Sequence, residues 1–186
     1  MTDEMTARLG ESYRPVIEDN TQLLKTSIET GVRVTGDREL LMQMLVNLME
    51  NAIRHCSSGT LISLSLSQGD KAALLTIADN GCGVPSEELP KILRPFYRLE
   101  QGRSSVGSGL GLALVDAIAR LHGICLDLSD NGPGLKISLA FSNKPNAVLQ
   151  PQPRYSSDTI SVLSARTTSG LRIRKLLQSV AGYLSV

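Results

Sequence analysis

The chain has 186 residues and a formal net charge of +1, which gives room for one domain with a real core plus an appendage and no whole-chain attraction to nucleic acid. Two Phe, four Tyr and no Trp leave little for base stacking, so no nucleic-acid partner is expected. The apolar runs fall far short of the roughly 20 residues a membrane span needs, and Met1-Thr-Asp-Glu is not signal-peptide chemistry, so the chain is expected to be cytoplasmic, without membrane contact of its own, or the cytoplasmic part of a membrane-anchored protein.

In chain order, a helix is expected over about Glu4 to Glu18, weakened by Gly10 and Pro15, with a turn at Asp19-Asn20. Thr21 to Ile28 and Val32 to Thr35 read as two short strands joined by Glu29-Thr30-Gly31, a connection of hairpin length. Asp37 is a helix N-cap candidate, and Leu40, Leu41, Met44, Leu45, Leu48 and Ala52 recur behind it at helical spacing as far as His55. Leu61 to Leu66 alternates with period two, the sign of a strand with one buried face, and Ala72 to Ala78 is a more continuous apolar run ending at Asp79.

Residues 84 to 108 are loop-rich, with one helical turn expected around Ser86 to Leu93. Leu110 to Leu121 is the next helix. Strands follow at Ile124 to Leu128 and Leu135 to Phe141, separated by the turn sequence Asp130-Asn-Gly-Pro-Gly. The alternation of helices and strands predicts an α+β fold, a two-layer α/β sandwich with a mixed, mostly antiparallel sheet packed against helices. This domain is expected to fill residues 1–141. The polar segment 142–158, with Pro145, Pro151 and Pro153, reads as a linker, and 159–186 as a C-terminal extension. In that extension Ile173, Leu176, Leu177, Val180 and Leu184 fall at helical spacing behind Arg172, Arg174 and Lys175. A short packing helix or tail is the plain reading, and a partner-docking or membrane-surface helix the sharper one.

Three motifs carry chemistry. Asn47 and Asn51 lie four apart on one helix face, and Arg54 and His55 continue that polar stripe. A carboxamide oxygen can coordinate Mg²⁺ without adding charge, and a guanidinium can oppose phosphate. An ordinary solvated helix face would look the same. Asp79, at the end of an apolar strand, is followed by Asn80-Gly81-Cys82-Gly83. A carboxylate there can accept the exocyclic amine of adenine, and the glycines let backbone approach a flat ligand. Any strand running into a turn can have that pattern. Gly107-Ser-Gly109-Leu110-Gly111 enters a helix N-terminus, where bare amides and the helix dipole suit phosphate. It is neither a dinucleotide fingerprint nor a Walker loop. The preceding Gln101-Gly-Arg103 stretch is a candidate cover, with Arg98 or Arg103 reaching a terminal phosphate. Cys56, Cys82 and Cys125 are odd in number and widely spaced, fitting neither a disulfide framework nor a zinc site. His55 and His122 lack the surroundings of a metal cage and are expected to pack or face solvent.

In order and spacing these pieces resemble the catalytic and ATP-binding domain of sensor histidine kinases, in the superfamily shared with gyrase, MutL and heat-shock chaperone ATPases. Asn47 to His55 is similar to the N box, Asp79 to Gly83 to the first glycine box, Pro95-Phe96-Tyr97-Arg98 to the F box, and Gly107 to Leu112 to the second glycine box. Tyr13-Arg-Pro and Val34-Thr-Gly-Asp37 resemble the lead-in, so the likeness covers about residues 10–141. It implies a Bergerat-type sandwich binding ATP with Mg²⁺. By position, Asn51 would ligate the metal, with Asn47 beside it. Asp79 would take the adenine amine, with Gly81 and Gly83 at the base. Arg54 and Arg98 would meet phosphates, and His55 would pack near the nucleotide. Gly107, Gly109, Leu110 and Gly111 would form the phosphate loop, with Phe96 anchoring the lid in apolar surface.

The resemblance further implies transfer of the ATP γ-phosphate to a histidine on a separate dimerisation domain, in cis or in trans, and through it to a response regulator in two-component signalling. Neither His55 nor His122 fits the acceptor's context, so the chain alone is not expected to phosphorylate itself. No catalytic base is identified: Asn47 stands where the ATPase branches carry a glutamate, and Glu50 is a turn off that face. Two other readings stand beside this one. An anti-sigma-type serine kinase shares the fold, although Phe96-Tyr97-Arg98 favours the histidine branch. A non-catalytic nucleotide-binding or docking module would bind nucleotide weakly or not at all.

Overall fold

The computed structural model describes residues 2–99 and 108–142. Gly107, Gln101, Arg103, the segment from 143 to 158 and the extension 159–186 lie outside the described residues. Helix α1 (Asp3–Asp19), strand β1 (Leu23–Ile28), helix α2 (Arg38–His55), strands β2 (Leu61–Gln68) and β3 (Ala72–Asp79), helix α3 (Gly111–Leu121) and strands β4 (Cys125–Asp130) and β5 (Leu135–Ser142) follow in chain order. The expected two-layer α/β sandwich is present. One five-stranded sheet, ordered β1-β2-β3-β5-β4, pairs β1 with β2 in parallel and is otherwise antiparallel.

Alternation fixes which sheet face is dry. Ile62, Leu64 and Leu66 of β2, Ala73, Leu75 and Ile77 of β3, and Ile137, Leu139 and Phe141 of β5 are buried, because successive side chains leave a strand on opposite sides. Against them lie Leu41, Met44, Leu45, Leu48, Met49 and Ala52 of α2 and Val115, Ile118 and Ala119 of α3, all in one core cluster. The stripes recur every three or four residues, the spacing that keeps a helical face together.

Helix α1 runs through both residues that weaken its sequence pattern. Gly10 is buried against the sheet, where a Cβ would come 3.1 Å from Thr26 Cγ2, so the bare backbone allows α1 close to β1. The α1 N-terminus is capped by Thr2, whose Oγ1 accepts from the Met5 amide at 3.3 Å. At the other end of the connection, Asp37 Oδ1 accepts from the Glu39 and Leu40 amides, both at 2.9 Å, and starts α2 as expected.

One sequence expectation is overturned. Val32 to Thr35 is not a strand, and no hairpin joins it to β1; the segment makes only an isolated bridge between Arg33 and Thr2. The pairing edge of β1 belongs instead to β2, which arrives after α2. The 29–36 connection bonds to β2 through Glu29 and to α1 through its middle: the Asp3 amide donates to the Val32 carbonyl at 3.1 Å, and the Gly31 amide to Asp3 Oδ2 at 2.8 Å. Val32 itself is buried.

Two side chains tie the helix ends together. His122, at the end of α3, accepts the Asp37 amide on Nε2 at 3.0 Å while its Nδ1 lies 2.9 Å from the Ile118 carbonyl. That pattern requires the neutral tautomer with the proton on Nδ1. Gln22 is buried and donates through Nε2 to the Ile53 and Cys56 carbonyls at 3.0 and 2.7 Å, closing the C-terminal turn of α2. Thermal unfolding tests the N-cap: Asp37→Ala is expected to cost about 1 kcal/mol and lower Tm by roughly 3 °C, whereas Asp37→Ser retains most of the wild-type value.

Candidate functional site

A cavity of about 260 Å³ opens where the C-terminal half of α2, the end of β3 and the start of α3 meet. Its wall has two characters. Ala52, Val84, Ile92, Tyr97, Leu99, Leu112 and Leu135 supply apolar surface, while Asn47, Glu50, Asn51, Arg54, His55, Asp79 and Arg98 supply polar groups. Gly83, Ser108, Gly109 and Gly111 expose backbone along the same wall.

The motifs separated by some 60 residues are therefore brought together. Asn47, Asn51, Arg54, His55, Asp79, Gly83, Arg98, Gly109 and Gly111 all line the cavity. Two expected residues do not. Gly81 sits behind Asp79: its amide donates to Asp79 Oδ1 at 2.9 Å, so it orients the carboxylate rather than facing the cavity. Leu110 is the residue before the first turn of α3 and its side chain is off the wall, because the chain is turning into the helix there. Gly107 lies outside the described residues.

Each side chain is held by its element. Asn47 Nδ2 donates to the Gln43 carbonyl one turn back at 2.7 Å. The amide nitrogen being so engaged, Oδ1 turns toward α3, where a Cβ on Gly111 would come 3.3 Å from it. Asp79 is buried at the end of the central strand β3. Besides the Gly81 amide, Oδ1 faces the Leu135 amide at 3.4 Å. Cys56, just past α2, lines the same cavity, and the charge of this carboxylate acts on its thiol.

The start of α3 carries no side-chain cap and no acidic residue in its first turn. Its first amides and the positive end of the helix dipole are therefore available to an anion. Gly109 makes the approach possible. It has φ +69°, and a Cβ there would come 3.0 Å from the Phe96 backbone, which is locked to it by the Phe96 amide donating to the Gly109 carbonyl at 3.0 Å. Phe96 has φ +64° and is 53% exposed. The expectation that Phe96 packs into apolar surface is thus not met, because the backbone that pairs with Gly109 turns its ring outward.

The expected helical turn is present at 85–94, where the Leu89 and Ile92 amides donate to the Pro85 and Glu88 carbonyls. Glu88 anchors it, accepting the Tyr97 hydroxyl and pairing with Lys91 at 2.9 Å. Burial, reinforced by the positive charges of Arg54 and Arg98, holds His55 below its ordinary value despite Asp79, so it is neutral at pH 7. Arg54 and Arg98 both line the cavity, close enough for their charges to act on His55. Sequence reasoning missed the nearness of Glu50, which lines the wall and faces the Tyr13 hydroxyl at 3.4 Å. It also missed Asn131, whose Nδ2 donates to the Asp79 carbonyl at 2.8 Å. The only signal in the sequence was that Asn131 belongs to a turn.

Polar groups, apolar side chains and a buried carboxylate lining one cavity suit a ligand with a flat heteroaromatic part and an anionic tail. The family described as histidine kinase-, DNA gyrase B-, and HSP90-like ATPase matches residues 36–145. The signal transduction histidine-protein kinase BaeS of Escherichia coli (strain K12) is 39% identical over 115 residues, 61% of this chain and 25% of that protein. The sensor-like histidine kinase SenX3 of Mycolicibacterium smegmatis (strain ATCC 700084 / mc(2)155) is 32% identical over 139 residues, 73% of this chain and 36% of that protein. The chain therefore spans about a quarter to a third of the length of these curated relatives. Among solved structures, the mycobacterial sensor histidine kinase MprB superposes with a TM-score of 0.62 at 30% identity, covering 77% of this chain and 95% of that one. The catalytic domain of histidine kinase ThkA shares the fold, with a TM-score of 0.67 at 22% identity over 77% of this chain and 95% of that one.

Cys56 yields a pH prediction. Burial and the neighbouring Asp79 carboxylate push its thiol up from 9.0 to about 12. The folded state thus keeps a proton that the unfolded chain releases near 9.0, and the stability this represents is present below pH 9 and lost as pH climbs toward 12. Alkylation by iodoacetamide at about pH 8, followed by peptide mass spectrometry, is expected to modify the exposed Cys82 and Cys125 at least ~10-fold faster than Cys56, since the thiolate is the nucleophile.

Proposed function

Because this chain belongs to the histidine kinase-, DNA gyrase B-, and HSP90-like ATPase family, we propose that it is the ATP-binding catalytic domain of a sensor histidine kinase. In this reading it presents the γ-phosphate to a histidine on a dimerisation domain, in cis or in trans, and thereby serves a response regulator. The observation that carries the reading is the position of Asp79. A buried carboxylate at a strand end lines the same cavity as a set of apolar side chains and an uncapped helix N-terminus. That arrangement accepts an exocyclic amine and would confront the carbonyl of guanine with a second acceptor.

The chain's own residues fit the remaining parts of Mg-ATP. Asn47 Oδ1, fixed outward by its bond to Gln43, and Asn51 one turn on would hold Mg²⁺. Mg-ATP supplies the transferable phosphoryl group, with the metal neutralising its charge. Arg54 and Arg98, which both line the cavity, oppose phosphate oxygens. Gly109, Gly111 and the bare first turn of α3 offer backbone amides, and Gly83 lets the base lie close to the backbone. Transfer to a histidine depends chiefly on positioning and charge neutralisation, and this wall supplies both without a water-activating base at Asn47. Glu50 is engaged with Tyr13 instead. Among the described residues, no helix is long and apolar enough to cross a membrane.

Calorimetric titration of the full chain with Mg-ATP is the direct test. A Kd on the order of 10–100 μM is expected, weakened at least ~10-fold by Asp79→Asn or Asn51→Ala, with GTP binding no better than ATP does to Asp79→Asn. Mg-ATP should also slow alkylation of Cys82, which lines the cavity, and leave Cys125 on the edge strand β4 unaffected. A folded chain that binds neither nucleotide would sink the proposal and favour the docking-module alternative.

A further inference from the structure

The hydrogen-bond ladder that places Asp79 is lopsided. On the β2 side Asp79 pairs with Ile62. On the β5 side the last registered pair is Ala78 with Lys136, one residue short. The Asp79 backbone therefore leaves the ladder on one flank just where its side chain must be fixed. A buried carbonyl at such a position needs a donor from elsewhere.

That donor is Asn131. Its Nδ2 reaches the Asp79 carbonyl at 2.8 Å across 52 residues of sequence. Asn131 is itself anchored, since its amide donates to the Gly134 carbonyl at 3.0 Å, and the neighbouring Gly132 amide bonds Asp130 Oδ1 at 2.9 Å. The 130–134 turn then lies flat on the strand end. Gly134 has φ +112°, and a Cβ there would come 1.9 Å from the Asp79 carbonyl oxygen, a distance only glycine avoids. The same residue backs Gly83, where a Cβ would meet the Gly134 carbonyl oxygen at 3.0 Å. Immediately after the turn, the Leu135 amide faces Asp79 Oδ1. The turn thus grips the Asp79 main chain through Asn131 and Gly134 and its carboxylate through Leu135. Asn131 itself is exposed and does not line the cavity.

The geometry points to Asn131 as a positioning residue for base recognition: it completes the missing rung beside Asp79 and so sets where the carboxylate meets the exocyclic amine of the base. The inference rests on the reading of Asp79 as the adenine-contacting group. It predicts an effect confined to the base. Loss of the rung lets the strand end shift, which weakens the one contact that separates adenine from guanine and leaves the phosphate-side groups on α2 and α3 in place.

The test compares Mg-ATP and Mg-GTP binding to the full chain in wild type, Asp79→Asn, Asn131→Ala and Asn131→Gln. Asn131→Ala is expected to weaken ATP about three- to tenfold with GTP affinity unchanged, so the ATP-to-GTP ratio falls by the same factor. Asn131→Gln keeps an amide donor and should recover part of the ratio. In nitrogen-edited NMR, the Gly81 amide, which reports the Asp79 carboxylate through its bond to Oδ1, is expected to shift in Asn131→Ala and return toward wild type in Asn131→Gln. If Asn131→Ala does not fold, Asn131→Ser, too short to reach the Asp79 carbonyl, takes its place. An unchanged ATP-to-GTP ratio, or equal loss of both nucleotides, overturns the assignment even where Asp79→Asn abolishes ATP binding. A wild-type chain that does not bind ATP overturns the underlying reading and this one with it.

Discussion

Leu41, Met44, Leu45, Leu48 and Met49 of α2 are at most 1% exposed, and this stripe leaves the helix no freedom to rotate about its own axis. Turning α2 by one residue would drive about 100° of its circumference into the wrong medium, exposing large apolar side chains and burying carboxamides and a guanidinium. The orientation of Asn47, Asn51 and Arg54 is thus a by-product of core packing. So is the register of α3, which packs its own stripe of Val115, Ile118 and Ala119 into the same cluster and carries its bare first turn to the Asn47 side chain.

The chemistry sits at the edge of this arrangement for a related reason. Polar groups can be presented only where the ladder and the helix stripes stop, and three elements stop at one place: β3 at Asp79, α2 at His55 and α3 at Gly111. Each end brings unsatisfied or specially satisfied backbone. The α2 end is closed by the buried Gln22 amide, the β3 end by Asn131, and the α3 end has no side-chain cap. Of the three, only the α3 terminus retains amides for an anion, which gives the cavity its direction.

Local pattern made α2, α3, β2 and β3 legible, because the two helices carry apolar stripes at helical spacing, β2 alternates with period two and β3 is a continuous apolar run. The motifs were legible from their polar residues and glycines, and of the nucleotide-contacting residues expected from them and described, the structure brings all but Gly81 and Leu110 to one wall. What the sequence hid was set by distant partners. The 32–35 segment has strand-like residues, yet the pairing edge of β1 is claimed by a strand more than 25 residues further on, a competition no local window contains. Phe96 reads as an apolar anchor, but its backbone bond to Gly109 turns it to solvent. Asn131 reads as turn chemistry, and its reach to Asp79 depends on the order in which β4 and β5 join the sheet.

The imidazole of His122 and the side-chain oxygen of Asn47 mark two crossings of the same helix pair. His122 meets Asp37 at one crossing, and Gly111 meets Asn47 at the other. Ten or eleven residues separate them along each helix, roughly 15 Å at 1.5 Å per residue. Were α3 to tilt, the histidine end, held by two hydrogen bonds, would be the fulcrum and the phosphate-facing turn the far end of the arm. A tilt of only about 5° would carry that tip some ~1.3 Å over this length, enough to separate a productive from an unproductive alignment of reacting groups. A rotation imposed at the pivot, far from the cavity, would thereby arrive at its mouth as a displacement on the scale of a bond length.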